Sequence, residues 1–128
     1  MKQQQLTPIR TSSVSVAPGA RQLIVARPLL GDLDSYLTDF GNSIDVLANS
    51  NFATFKVYVG GSPLPDFDNL TSQIAPANQP RHYAPAIGPF KANLIEVYGE
   101  MAAGAAGNTV MSVQLSIVSV TPGAVPNV

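Results

Sequence analysis

Cysteine and tryptophan are absent from this 128-residue chain, and histidine occurs once, as His82. Without a thiol there is no disulfide framework, no thiolate metal site and no cysteine nucleophile. A zinc site needs three or four nitrogen or sulfur ligands, and one histidine supplies one. Charge is scarce too: 12% of residues are Asp, Glu, Lys or Arg, against 45% hydrophobic. Soluble domains usually carry about a quarter charged residues, so this surface is poorly protected from association. Long apolar runs are also missing. No window approaches the roughly 18 apolar residues of a membrane span, and the polar start Met1–Gln5 lacks a signal peptide's apolar stretch.

The charge that remains is unevenly placed. Residues 1–31 hold Lys2, Arg10, Arg21 and Arg27 and no acid, giving +4, while the rest carries −5. This split points to a basic leading segment able to lie on an acidic neighbour, or to four solvated cations. Nucleic-acid binding would interleave such residues with aromatics. Arg10, Arg21 and Arg27 have none nearby in sequence, so no specific nucleic-acid partner is expected.

A chain of this length predicts one domain. Residues 1–10 form a polar, glutamine-rich arm without periodicity, disordered in isolation, and 11–128 make up the domain. Alternation marks strands at Thr11–Val16, Phe52–Val59 and Thr109–Val120. In the last, Met111, Val113, Leu115 and Ile117 face inward. Arg21–Arg27 and Phe90–Gly99 read as further strands, and the Ile44, Val46, Ala48 alternation as another. Pro18-Gly19 and Gly60-Gly61 mark turns or strand ends, and Ala102–Asn108 a hairpin loop. Between Pro28 and Ser43, Leu30, Leu33, Leu37 and Phe40 approximate helical spacing. A short helix over about 32–39 is one reading, and a loop with an edge strand the other. Residues 60–89 contain six prolines, which excludes a central strand and predicts a long irregular loop. Its Leu64, Phe67, Leu70, Ile74, Tyr83 and Ile87 indicate a loop ordered by packing. The fold class expected is all-β, an antiparallel β-sandwich of jelly-roll type with at most one short helix; an open barrel is the alternative.

No reaction centre emerges. There is no Gly-x-Ser-x-Gly elbow and no second histidine to build a triad. Gly60-Gly61, Gly104 and Gly107 lack the Lys-Ser/Thr of a phosphate loop. Asp66-Phe67-Asp68 begins like a calcium loop, but Thr71 and Ala77 stand where glycine and glutamate are required. Only a weak loop calcium site near Asp66 and Asp68 stays open, and no cofactor is expected. Eight acids permit many carboxylate pairs, so a hydrolase requires two that converge in the fold.

The Met1–Gln5 arm, the basic Arg21–Arg27 strand, the Phe52–Val59 and Thr109–Val120 strands and the proline-rich insertion together resemble small bacteriophage virion proteins, particularly capsid decoration or minor capsid proteins. The resemblance covers the whole chain in style and rests on no diagnostic motif. It implies a β-rich subunit, often trimeric, that sits on a major capsid protein lattice and strengthens it. Its location would be the virion, after synthesis in the host cytoplasm. The contact residues selected for such a role are Lys2, Arg10, Arg21 and Arg27 in the basic segment, and Phe67, Leu70, Ile74, Arg81, His82 and Tyr83 in the loop. The rival reading is a carbohydrate- or receptor-binding module of a fibre or tail, whose mark would be exposed tyrosines lining one concave face.

Overall fold

Gly60 and Gly61 adopt φ values of 58° and 83°, the left-handed region that glycine enters without steric cost. Two such residues in succession make the tight turn that best matches the twist of paired strands. In the computed structural model they join two strands of a β-sandwich. The structure describes residues 4–6, 10–63, 75–76, 81–83 and 87–123, and the side chains of 12–37, 41–63 and 88–123. The strands are β1 (Gln4–Leu6), β2 (Arg10–Val16), β3 (Arg21–Pro28), β4 (Asp34–Ile44), β5 (Ala53–Val59), β6 (Ser62–Pro63), β7 (Ala75–Pro76), β8 (Arg81–Tyr83), β9 (Ile87–Phe90), β10 (Leu94–Met101) and β11 (Thr109–Val120), with a 3-10 helix at Leu47–Phe52.

The Gly60-Gly61 turn pairs β5 with β6, Tyr58 opposite Pro63. Moving outward along both arms of the chain, β4 pairs with β8 and β9, β3 with β10, and β2 with β11, all antiparallel. Each pairing is folded about the same turn to within a few residues. The chain is therefore one long hairpin wrapped on itself. Its strands alternate between a first sheet, in which β1 and β2 flank β11, β11 flanks β4, and β4 carries β7, β8 and β9 on its far side, and a second sheet ordered β3-β10-β5-β6. This is a jelly roll, as the sequence pattern anticipated.

Alternation explains why the sheets stack. In β5, Ala53, Phe55 and Val57 are buried while Thr54, Lys56 and Tyr58 are half-exposed. In β10, Ile95, Val97, Gly99 and Met101 are buried in the same way. Met111, Val113, Leu115 and Ile117 of β11 face them from the first sheet. Phe55, Leu37, Ile44, Ile95, Met111 and Leu115 are all fully buried, each stabilising the fold by about 1.5–3 kcal/mol through transfer from water. Gly99 makes room at the centre: a Cβ there would lie 2.7 Å from Met111 Sδ, so the second sheet is thinned where a methionine crosses from the first.

Four expectations need correction. The segment read either as a short helix over about 32–39 or as loop and edge strand enters β4 at Asp34, an inner strand hydrogen-bonded to β11 on one side and to β8 and β9 on the other. Ser116 pairs with Asp39 and Ile117 with Leu37, leaving Thr38 as an extra residue. That bulge spaces Leu37 and Phe40 three apart on a strand, which imitates a helical interval. The helical element lies instead at Leu47–Phe52, where alternation of Ile44, Val46 and Ala48 predicted a strand. Ala102–Asn108 is not a hairpin loop, because it crosses from β10 in the second sheet to β11 in the first. The proline-rich stretch supplies short strands as well as loop. Pro63, Pro76 and Pro89 sit in β6, β7 and β9, all at sheet margins where a missing N–H disrupts no inner ladder. Within the arm, Gln4–Leu6 pairs with Val118–Val120 of β11. The two-residue β4–β7 pairing is parallel, an exception to the antiparallel pattern.

Opposite the Leu47–Phe52 end, Asp34 ties three segments together. Its carboxylate accepts the Gly123 N–H at 3.0 Å and meets Lys91 Nζ at 3.2 Å, with 8% of the side chain exposed. The Gly123 amide is the main cause of a pKa below the ordinary aspartate value; burial opposes it and Lys91 reinforces it. A carboxyl with a lower pKa folded than unfolded stabilises the fold fully above the unfolded value of about 3.9. That contribution is lost as pH falls through the folded value. Asp34→Asn is therefore expected to be less stable than the native protein at neutral pH, with the difference closing in acid; urea midpoints measured from pH 7 to 3 check this. The hairpin turn gives a second test. A Cβ at Gly61 meets nothing within 4 Å, so Gly61→Ala isolates backbone strain and should cost about 1–2 kcal/mol. Gly107→Ala, equally unobstructed but without a positive φ, should stay within about 0.5 kcal/mol.

Candidate interaction surface

Three connections between the sheets meet at one end of the sandwich: β2–β3, β4–β5 and β10–β11. Residues 17–20 and 102–108 contain no Asp, Glu, Lys or Arg, and the β4–β5 connection, 45–52, contains one, Asp45. Backbone bonds knit them together. Gly19 N–H donates to Met101 O at 2.8 Å, and Ala102 N–H to Phe52 O at 2.9 Å. Asn49 is the internal tie, only 2% exposed. Its Nδ2 donates to Thr109 Oγ1 at 2.8 Å and more weakly to Gly107 O at 3.4 Å, and its Oδ1 accepts the Ala106 N–H at 3.1 Å. Asp45, at the margin, uses its carboxylate to accept the Val110 N–H at 2.8 Å.

Large apolar side chains stand in solvent on this charge-poor end, beside the single carboxylate of Asp45. Leu47 is 49% exposed, and Val46, Phe52 and Val110 about 36% each. Single exposed apolar residues are ordinary, but several at one end with little charge favour a contact site. Its loops are held by internal hydrogen bonds, which lowers the ordering cost of binding.

A second feature lies on the outer face of the second sheet. The register places Tyr98 opposite Leu23 on one side and Lys56 on the other, and Glu100 opposite Arg21 and Thr54. The Arg21 guanidinium lies 3.9 Å from the Tyr98 ring centre and 5.1 Å from that of Tyr58. The two rings meet edge to face at 5.5 Å. Glu100 is shared by Arg21 at 3.6 Å and Lys56 at 3.9 Å. The Tyr98 hydroxyl donates to Glu96 at 3.1 Å, and that carboxylate, with some burial, holds the phenol pKa above its ordinary value against the opposing pull of Arg21. Tyrosine and arginine are the residue types enriched at binding hot spots.

The selected contact residues that are described lie on strands of both sheets. Arg21 belongs to the outer-face cluster. Arg27 sits in β3 opposite Ile95, with 9% exposed, so it presents little surface to a partner. Arg10 lies in β2 of the first sheet, so the basic segment is divided between the two sheets. Arg81, His82 and Tyr83 form β8, in register with Asn42, Gly41 and Phe40 of β4. Lys2, Phe67, Leu70 and Ile74, and the acids Asp66 and Asp68, lie outside the described residues. Among the described residues no group of three His, Cys, Asp or Glu side chains is placed to hold a metal. Sequence reasoning missed Leu47, Phe52, Asn49 and Glu100. A scan for stretches free of charge would have found the loop end.

No protein-family model matches the chain, and no curated protein matches it by sequence. Among solved structures it is similar to a chain in the structure of infectious bursal disease virus Gx strain. The TM-score is 0.54 at 11% identity, over 98% of this chain and 33% of that one. A viral chain shares this fold. The protein spans about a third of that chain's length. Similarity at lower TM-scores extends to the crystal structure of FLHE (0.47, 9% identity, 88% of this chain and 96% of that). It extends also to the acidic stable capsid structure of Helicobacter pylori bacteriophage KHP30 (0.43, 16% identity, 98% and 97%).

Asn49→Ala removes the tie between the 3-10 helix and the β10–β11 connection and strands the buried Thr109 hydroxyl. A loss of about 1–3 kcal/mol is expected, with faster amide exchange at Ala106 than in the native protein, measured by denaturant titration and hydrogen exchange.

Proposed function

We propose that the chain is a structural subunit of a virus particle, a jelly roll that self-associates, as a trimer, and packs on a capsid surface as a bacteriophage decoration or minor capsid protein. The observation that carries this reading is the charge-poor, hydrogen-bonded loop end with Val46, Leu47 and Val110 in solvent and Asp45 as its one acid. Such a surface gains by being covered, at about 25 cal/mol per Å² of apolar area removed from water. Support also comes from the backbone it shares with a viral chain over nearly its whole length. The same proposal makes the protein a packing element without catalytic activity. Among the described acids, Asp34 is engaged with Lys91 and Gly123, Glu96 with Tyr98, and Glu100 with Arg21 and Lys56.

Sedimentation and mass measurements on purified protein test the reading. The native chain should associate, and Leu47→Glu should weaken association by about tenfold or more, because burying an unpaired carboxylate costs well over the 1.4 kcal/mol that tenfold represents. Leu30→Glu, at the opposite end and similarly exposed, should associate as the native chain does. A native protein that stays monomeric and binds no capsid surface would overturn the proposal, as would unchanged association of Leu47→Glu.

A further inference from the structure

A pocket of about 250 Å³ opens where the charge-poor loop end meets the outer face of the second sheet. Gly19 and Ala20, just before β3, and Met101 and Ala102, at the end of β10, line one part of it. These are locked by the Gly19-to-Met101 bond and by Met101 N–H donating to Ala20 O at 3.0 Å. Phe52 forms an aromatic wall, and Arg21, Thr54 and Glu100 line the rest. Phe52 keeps its place because residue 104 is glycine, where a Cβ would stand 3.2 Å from the ring. Arg21 is held against the Tyr98 ring. The pocket is thus preformed on both sides.

The charges decide what kind of ligand fits. Glu100 is already balanced by Arg21 and Lys56, and Glu96 lies on the same face of the strand. Two cations and two anions leave little net field to select an ion. What remains is a set of donors and acceptors beside an aromatic face: the Arg21 guanidinium N–H groups, the Glu100 carboxylate and the Thr54 hydroxyl. A ligand complementary to that set is neutral, donates and accepts through adjacent hydroxyls, and offers a C–H face to a phenyl ring. The volume falls below the roughly 300–1,000 Å³ typical of sites for drug-sized ligands, which restricts the occupant to one small ring. We infer that this pocket binds a single pyranose unit of a neutral carbohydrate, with Phe52 against the sugar's C–H face and Glu100, Arg21 and Thr54 on its hydroxyls. This goes beyond a packing role and does not depend on it, since the pocket is complete within one chain. In an assembly of many copies, weak single sites would act together on a glycan-covered surface.

The test is an amide chemical-shift titration of the full chain with methyl glucopyranoside, methyl galactopyranoside, methyl mannopyranoside and N-acetylglucosamine, each up to its solubility. At least one sugar should produce saturable shifts concentrated at Ala20, Arg21, Phe52, Thr54 and Ala102. Glu100→Gln and Phe52→Ala should each weaken binding by about tenfold or more. Should Phe52→Ala lose the native spectrum, Glu100→Gln carries the test, since Glu100 is partly exposed and its ion pairs add little stability. No saturable shift with any of the sugars would overturn the inference. So would undiminished binding by Glu100→Gln, or saturable shifts at these amides with inorganic phosphate and none with sugars.

Discussion

Two consecutive glycines with positive φ set the centre about which four sets of strands pair. β5 and β6, β4 and β8–β9, β3 and β10, and β2 and β11 are all reflected about Gly60-Gly61, while β10 with β5 and β11 with β4 join neighbouring layers of the folded hairpin. A slip by one residue would turn every inward side chain outward, exposing Phe55, Val57, Ile95 and Val97 together. Register shifts at Thr38 of β4 against β11, between Ser35 and Leu37 of β4 against β9, and between Val97 and Tyr98 of β10 against β3 absorb local mismatch so that both sheets keep their apolar faces toward each other.

Wrapping this hairpin forces its outer arms to cross from sheet to sheet, and those crossings gather residues that are far apart in sequence. Asn49 reaches Ala106, Gly107 and Thr109, nearly sixty positions away. The result is an end built from three charge-poor segments, none of which is distinctive alone. At the opposite end Asp34, Lys91 and the Gly123 amide form one ionic cluster.

Sparse charge also gives the remaining ionic groups definite partners. Arg21 serves less as a free cation than as the planar group that packs on Tyr98 and bridges to Glu100. Arginine suits this place because its guanidinium stacks on an aromatic face while its N–H groups stay directed at a carboxylate. Tyr58 and Tyr98, both half-buried, share the outer face of the second sheet.

The alternation in Ala53–Val59 and Thr109–Val120, the prolines between 60 and 89 and the absence of thiols were enough to determine a β-sandwich without thiol chemistry, because strand periodicity and proline's missing N–H act locally. The Leu33, Leu37 and Phe40 spacing was misleading for an equally physical reason. A bulge adds a residue that only the partner strand can reveal, and β4 is a strand because β11 and the β8–β9 edge hold it on both sides. Arg27 could not be distinguished from Arg21 by composition; its position opposite Ile95 turned it toward the interior, while Arg21, opposite Glu100, stayed at the surface. Nor could the pocket be read from the chain, since Arg21, Phe52, Thr54 and Glu100 meet only after three strands pair. Local sequence determined which residues alternate and where the chain turns. Tertiary structure decided which faces meet, because register across sheets depends on contacts that no short stretch contains.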